Sequence, residues 1–114
     1  MHELAVTEHI LDIALKHGQN ANALSVDDIY LVIGQLSSIV DDSIQFYWDI
    51  ISKDTICNQA RLHFTRIPAR LFCLDCHVEY EISTEMTPCP SCNGINIKIT
   101  AGEEFFLESI NITK

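Results

Sequence analysis

Two short runs, Cys73-Leu74-Asp75-Cys76 and Cys89-Pro90-Ser91-Cys92, decide how the 114-residue chain is read. Each places two cysteines three positions apart, so one tight turn aims both sulfurs at a single point. Two such turns complete a closed tetrahedral thiolate shell, a donor set that suits Zn(II). Twelve residues lie between the pairs. Pro90 shapes the second turn, and Gly94 is expected to supply the positive-φ residue needed where the chain reverses around a metal. Two disulfides or four unrelated thiols are the competing readings, and iron is a weaker competitor for four thiolates. Zinc is favoured by the paired spacing and by the absence of an export signal at the start of the chain, which points to a reducing cytoplasm.

Outward from the cysteines the texture changes on both sides. Residues 71–102 hold four of the five cysteines and two of the three prolines, with few large aliphatic residues. Val78–Ile82 and Asn96–Thr100 alternate as short strands leaving each turn. The flanking sequence, 1–70 and 103–114, reads as an α/β body into which 71–102 is inserted. The body's expected elements are an amphipathic helix over Glu3–Lys16 stopped by Gly18 and a buried strand Ile29-Tyr30-Leu31-Val32-Ile33. A second helix follows, opened by an Asp42/Gln45 capping box and packed over more than half its circumference. A strand around Leu62 and Phe64, running toward Pro68, and a last strand over 105–112 complete it. The fold class is therefore α/β: a small mixed sheet of about three strands with two helices, plus an inserted zinc-ribbon-like domain.

Composition narrows the function. Sixteen acidic against seven basic residues leave a net charge of −9, which repels nucleic acid and anionic membranes. Residues 71–102 alone carry −3, and no aromatic-and-basic face accompanies them. No apolar run is long enough to span a bilayer. His77-Val78-Glu79 with Pro88-Cys89-Pro90-Ser91-Cys92 matches the zinc-deaminase signature. Eight residues between the halves are too few for that site, however, and Cys73 and Cys76 would have no role. No Ser/His/Asp set, phosphate loop or dinucleotide fingerprint is present. His9, His17 and His63 read as surface residues, His77 as a neighbour of a filled metal shell, and Cys57 as a small buried thiol.

Met1-His2-Glu3 offers a different chemistry. A free α-amine, the backbone nitrogens after it and the His2 imidazole can close adjacent chelate rings in a near-planar nitrogen set that suits Ni(II) or Cu(II). Glu3 adds a carboxylate, or simply complements the dipole of the first helix. From the residues alone, the plain frayed terminus is the stronger reading.

Met-His-Glu-Leu at the start, Ile33-Gly34-Gln35-Leu36-Ser37, Pro68-Ala69-Arg70 leading into the paired Cys-x-x-Cys motifs, and Gly102-Glu103-Glu104 through Ser109-Ile110 together resemble the HypA/HybF family over essentially the whole chain. Gln35 departs from the Glu that many members carry there. The resemblance implies a nickel metallochaperone for [NiFe]-hydrogenase maturation, in some organisms also serving urease, and not an enzyme. It implies a nickel site at Met1, His2 and Glu3 and a structural zinc at Cys73, Cys76, Cys89 and Cys92. The implied partners are the maturation GTPase HypB and the hydrogenase large-subunit precursor, with the chain a monomer or weak homodimer. The alternative is a zinc-ribbon adaptor that binds protein partners and carries no transferable metal.

Overall fold

The computed structural model describes residues 3–82 and 85–114. Its elements in chain order are α1 (Glu3–Asn20), β1 (Ser25–Gly34), α2 (Asp41–Ile51), β2 (Arg61–Ile67), β3 (Ala69–Cys73), β4 (Glu79–Ile82), β5 (Ile97–Ala101) and β6 (Phe105–Thr113). They form two three-stranded sheets, ordered β2-β1-β6 and β4-β3-β5. By contacts the chain divides into two compact units. One comprises Met1–Leu31, Ser38–Thr65 and Phe106–Lys114; the other comprises Val32–Ser37 and Arg66–Phe105. Two helices on a small mixed sheet, with a second part built around four cysteines, is the expected fold class.

In the first unit α1 buries Thr7, Ile10, Leu11, Ala14 and Gly18 as one stripe at helical spacing. Gly18 does not stop the helix as expected. It lies on the buried face, where a Cβ would stand 3.0 Å from Ile56 Cδ1 and 3.2 Å from Val26 Cγ2. The reversal falls at Asn22, whose φ of 57° takes the left-handed conformation, and Ala23 N–H closes on Gly18 C=O at 2.9 Å.

β1 is the central strand, and its Ile29, Leu31 and Ile33 are fully buried, as the apolar run predicts. The start of β1 meets the end of β6 through Leu24 N–H to Thr113 C=O at 2.7 Å. Its end meets the start of β6 through Gly34 N–H to Glu104 C=O at 2.7 Å, so the two run antiparallel. Along β2, by contrast, Asp28 lies by His63 and Gln35 by Ile67, so β1 and β2 run the same way with α2 as the crossover. The sheet is mixed.

α2 corrects two expectations. No side chain caps it: the N-cap is Val40, and Gln45 donates instead to Asp49 Oδ1 at 2.9 Å. Only Ile44 and Trp48 are buried on it, while Phe46 and Ile50 stand 60% and 52% exposed. Ile44 and Trp48 are four residues apart and share one narrow stripe, and Phe46 and Ile50 fall on the far side of the helix.

The second unit is built on β3, which the sequence reading merged into the approach to the cysteines. β3 pairs antiparallel with both β4 and β5. Its Ala69 and Leu71 are fully buried and join Ile82, with Leu36, Tyr80, Ile97 and Ile99 packed around them. Gly34 and Gly102 let two backbones touch here: a Cβ on Gly34 would fall 2.1 Å from the Gly102 carbonyl. Gly102 itself has φ 112°. Gln35 Oε1 accepts the Ala69 N–H at 3.2 Å, which ties this segment to the start of β3.

Candidate metal centre

β3 delivers Cys73 at its last position, and the chain turns at once. Two backbone bonds shape that turn: His77 N–H to Cys73 C=O at 2.9 Å, and Cys73 N–H to Val78 C=O at 2.9 Å. The second turn repeats the wiring at the same spacing, with Asn93 N–H to Cys89 C=O at 2.7 Å and Cys89 N–H to Gly94 C=O at 3.0 Å. His77 (φ 65°) and Asn93 (φ 58°) hold the left-handed conformation in equivalent places, directly after the second cysteine of each pair. The positive φ expected at Gly94 is therefore carried by Asn93. Gly94 is needed for room instead, since a Cβ there would sit 3.1 Å from Cys92 Sγ and 3.2 Å from Asp75 Oδ2. Leu74 N–H to Asn96 C=O at 2.9 Å links the first turn to the strand leaving the second.

The two turns bring all four sulfurs within 4.8 Å of one another. Cys73 and Cys92 are 3.6 Å apart and Cys76 and Cys89 3.4 Å. A disulfide needs about 2.05 Å between sulfurs. A tetrahedron with Zn–S bonds of about 2.3 Å has edges of about 3.8 Å, so the spacing fits a four-thiolate metal and not a pair of disulfides. Cys73 and Cys89 are buried, Cys76 is half-buried and Cys92 is exposed. The amides of Cys92 and Ser91, which point at the Cys89 sulfur, lower its thiol to about 7. The hydrogen bond to Cys89 pushes Cys76 up to about 12. The Cys89 thiolate thus forms readily, whereas the Cys76 proton needs a cation to displace it.

The remaining candidates are placed as follows. Met1 and His2 of the expected nickel set lie outside the described residues. Glu3 is the first residue of α1, half-buried, and its carbonyl accepts the Thr7 hydroxyl at 2.6 Å. His9 and His17 are exposed on α1. His77 is exposed, turns its ring edge-on to Phe72 and is not among the clustered ligands. Glu79, the glutamate of the deaminase signature, is bonded by Arg70 Nε at 2.8 Å, and Arg70 also reaches Glu81. Cys57 is fully buried, as expected, and burial raises its thiol to about 11.

His63 is more than a surface residue. It stacks on Tyr30 with ring centroids 4.6 Å apart and bonds Asp28 at 2.8 Å. Asn111 from β6 reaches both Tyr30 and Asp28. The strand alternation of His63 with Leu62 and Phe64 was the only signal in the sequence for its placement.

A family model described as hydrogenase/urease nickel incorporation, metallochaperone, hypA matches residues 1–112. The chain belongs to the HypA family. HypA proteins are nickel metallochaperones of hydrogenase maturation. The hydrogenase maturation factor HypA of Dehalococcoides mccartyi is 41% identical over 112 residues, covering 98% of this chain and 94% of that one. The HypA of Methanococcus maripaludis is 33% identical over 120 residues, covering 98% and 95%. Among solved structures, the Ni metallochaperone HypA from Helicobacter pylori has a TM-score of 0.69 at 22% identity, covering 99% of this chain and 98% of that one. A second HypA solution structure has a TM-score of 0.74 at 22% identity, covering 98% and 96%. At that identity the likeness concerns the HypA fold. No helix among the described residues is long and apolar enough to cross a membrane.

Proposed function

We propose that this chain carries Ni(II) at Met1, His2 and Glu3 and passes it to the [NiFe]-hydrogenase large-subunit precursor, acting with the maturation GTPase HypB. Membership of the HypA family over residues 1–112 is the observation that carries the reading. Urease is a second recipient the same chemistry could serve. The work takes place in the cytoplasm, and the chain is a carrier that catalyses no reaction of its own. Residues 1–70 and 103–114 form the nickel-binding part and 71–102 the zinc part.

Each part has a chemical task. The α-amine, the first backbone nitrogens and the His2 ring would offer Ni(II) a nitrogen donor set from which a recipient's thiolates could take the ion by stepwise exchange. Glu3 begins α1, which anchors the segment just behind those nitrogens. Cys73, Cys76, Cys89 and Cys92 would hold Zn(II), which supplies a permanent cross-link and, being fully coordinated, no open position for substrate.

Nickel titration into untagged, zinc-loaded protein, with metals counted by native mass spectrometry, tests the proposal. One nickel beside one zinc is expected, with the absorption of planar Ni(II). His2→Ala, or any extension before Met1, should abolish nickel binding and leave zinc in place. Tight nickel retained by both variants would sink the N-terminal site. Zinc alone in the wild type would leave the adaptor reading standing.

A further inference from the structure

The four sulfurs meet in a way that the two Cys-x-x-Cys runs do not suggest. Cys73 Sγ lies 3.6 Å from Cys92 Sγ, and Cys76 Sγ lies 3.4 Å from Cys89 Sγ, so each contact joins one turn to the other. In each crossed pair one sulfur is sheltered and one is open. Cys73 is buried and its partner Cys92 exposed; Cys89 is buried and its partner Cys76 half-buried. A sulfur that solvent reaches, with a second one directly behind it, is the arrangement of a reversible oxidation site.

We propose that the cluster is also a modification site for hydroperoxides, which convert it into two nested disulfides, Cys73–Cys92 around Cys76–Cys89, and so end its hold on Zn(II). The inference rests on the four-thiolate zinc reading above and adds a second chemistry to the same residues. The open sulfur of a pair, as thiolate, attacks the peroxide O–O bond and becomes a sulfenic acid. The other oxygen leaves and takes a proton to become an alcohol. The sheltered sulfur, also as thiolate, then attacks the sulfenic sulfur. The S–S bond forms, the S–O bond breaks, and the departing hydroxide is protonated to water. Each pair gives up two electrons and consumes one peroxide and two protons.

The geometry selects the crossed pairing. The sulfurs of each crossed pair need to close by only about 1.5 Å to reach a bond of about 2.05 Å. That short gap lets the sheltered sulfur capture the sulfenic acid before a second peroxide does. Each turn is already closed by its own backbone bonds, His77 N–H to Cys73 C=O and Asn93 N–H to Cys89 C=O, so a disulfide within a turn would tie residues that are held already. The crossed bonds join positions nineteen and thirteen apart in sequence and so take over the link between the turns. The two thiolates left after the first disulfide cannot complete a tetrahedral shell, and the metal is lost at that step. Cys57, fully buried in the other unit, takes no part.

Treating the zinc-loaded chain with hydrogen peroxide tests this, with released zinc read by a chromogenic chelator and disulfides mapped by peptide mass spectrometry. Release of the zinc is expected together with the bonds Cys73–Cys92 and Cys76–Cys89, while Cys57 stays a free thiol. Dithiothreitol with added zinc should restore the starting state. Hydrogen exchange adds a second readout. Amides of β3 and β5 should stay protected in the oxidised, zinc-free chain, and exchange about tenfold faster or more in reduced chain stripped by a chelator. Disulfides within the turns, or sulfinic acids as the main products, overturn the proposal. So does an oxidised chain whose β3 exchanges as fast as the stripped one. A chain that holds no zinc before peroxide is added defeats the zinc reading instead, and its disulfide map still decides the pairing.

Discussion

Around β1, Ile10, Ala14, Ile29, Leu31, Ile44 and Trp48 are all 2% exposed or less, while around β3 the buried apolar cluster is Ala69, Leu71 and Ile82. The first sheet has two helices to shield it; the second has short strands and two cysteine turns. A cluster of three buried apolar side chains, with Leu36, Tyr80, Ile97 and Ile99 only partly buried around it, does little to offset the entropy of ordering some forty residues, at about 1–2 kcal/mol per residue for the backbone alone. A cross-link would make up the difference, and four sulfurs within 4.8 Å are where a metal would supply one. The comparison teaches that packing alone serves the body, while the insert is arranged so that coordination by its four sulfurs would add what packing lacks.

The sharpest way to break that contrast is to withdraw the metal. Chelation, or Cys89→Ser, should abolish amide protection across β3, β4 and β5 while α1, α2 and β1 keep theirs. Structural zinc contributes about 10–16 kcal/mol to small metal domains. Hydrogen exchange read by mass spectrometry decides it, and full protection of β3 in metal-free protein would show that packing suffices there. The converse test is Trp48→Ala, which empties the largest fully buried side chain. A loss of about 3–5 kcal/mol is expected in denaturant melts followed by α2 protection, with zinc still bound.

Gly34→Ala probes the backbone contact with Gly102. No rotamer can relieve a Cβ placed 2.1 Å from a carbonyl, so the main chain must shift, at about 1–3 kcal/mol. Gly94→Ala meets only a sulfur and a carboxylate at 3.1 Å and 3.2 Å and should cost less. Equal melting temperatures for the two would contradict the difference. The smallest effect is expected from pH. His63, by its hydrogen bond, holds the Asp28 carboxyl below its ordinary value. The stabilisation is therefore complete above the ordinary carboxyl pKa and fades as pH falls through the lowered one. Replacing His63 by Ala should flatten that acid limb slightly in melts between pH 6 and pH 2.

How far the sequence carried these features depended on what each one needed to be visible. The cysteine pairs, the stripe of α1 and the run Ile29–Ile33 announce themselves through spacing that one local geometry satisfies. β3 did not, because Ala-Arg-Leu-Phe-Cys is short, follows a proline, and ends in a residue already assigned to metal. Its alternation shows only when Cys73 is counted as a buried strand position too. The exposure of Phe46 and Ile50 was invisible for another reason: composition says how apolar a helix is, not which of its faces has a neighbour. Asn93 displaced Gly94 as the turn residue because asparagine also tolerates positive φ. His77, its counterpart in the first turn, had no such cue.

The exposure of the four sulfurs also sets an order of events. Each turn contributes one sheltered sulfur, Cys73 or Cys89, and one nearer to water, with Cys92 the most open. A competing thiol arriving from solution meets Cys92 first and the sheltered pair last. Exchange of an ion held by the four would then begin at Cys92, so substitutions that open this corner further should speed metal loss to an added chelator.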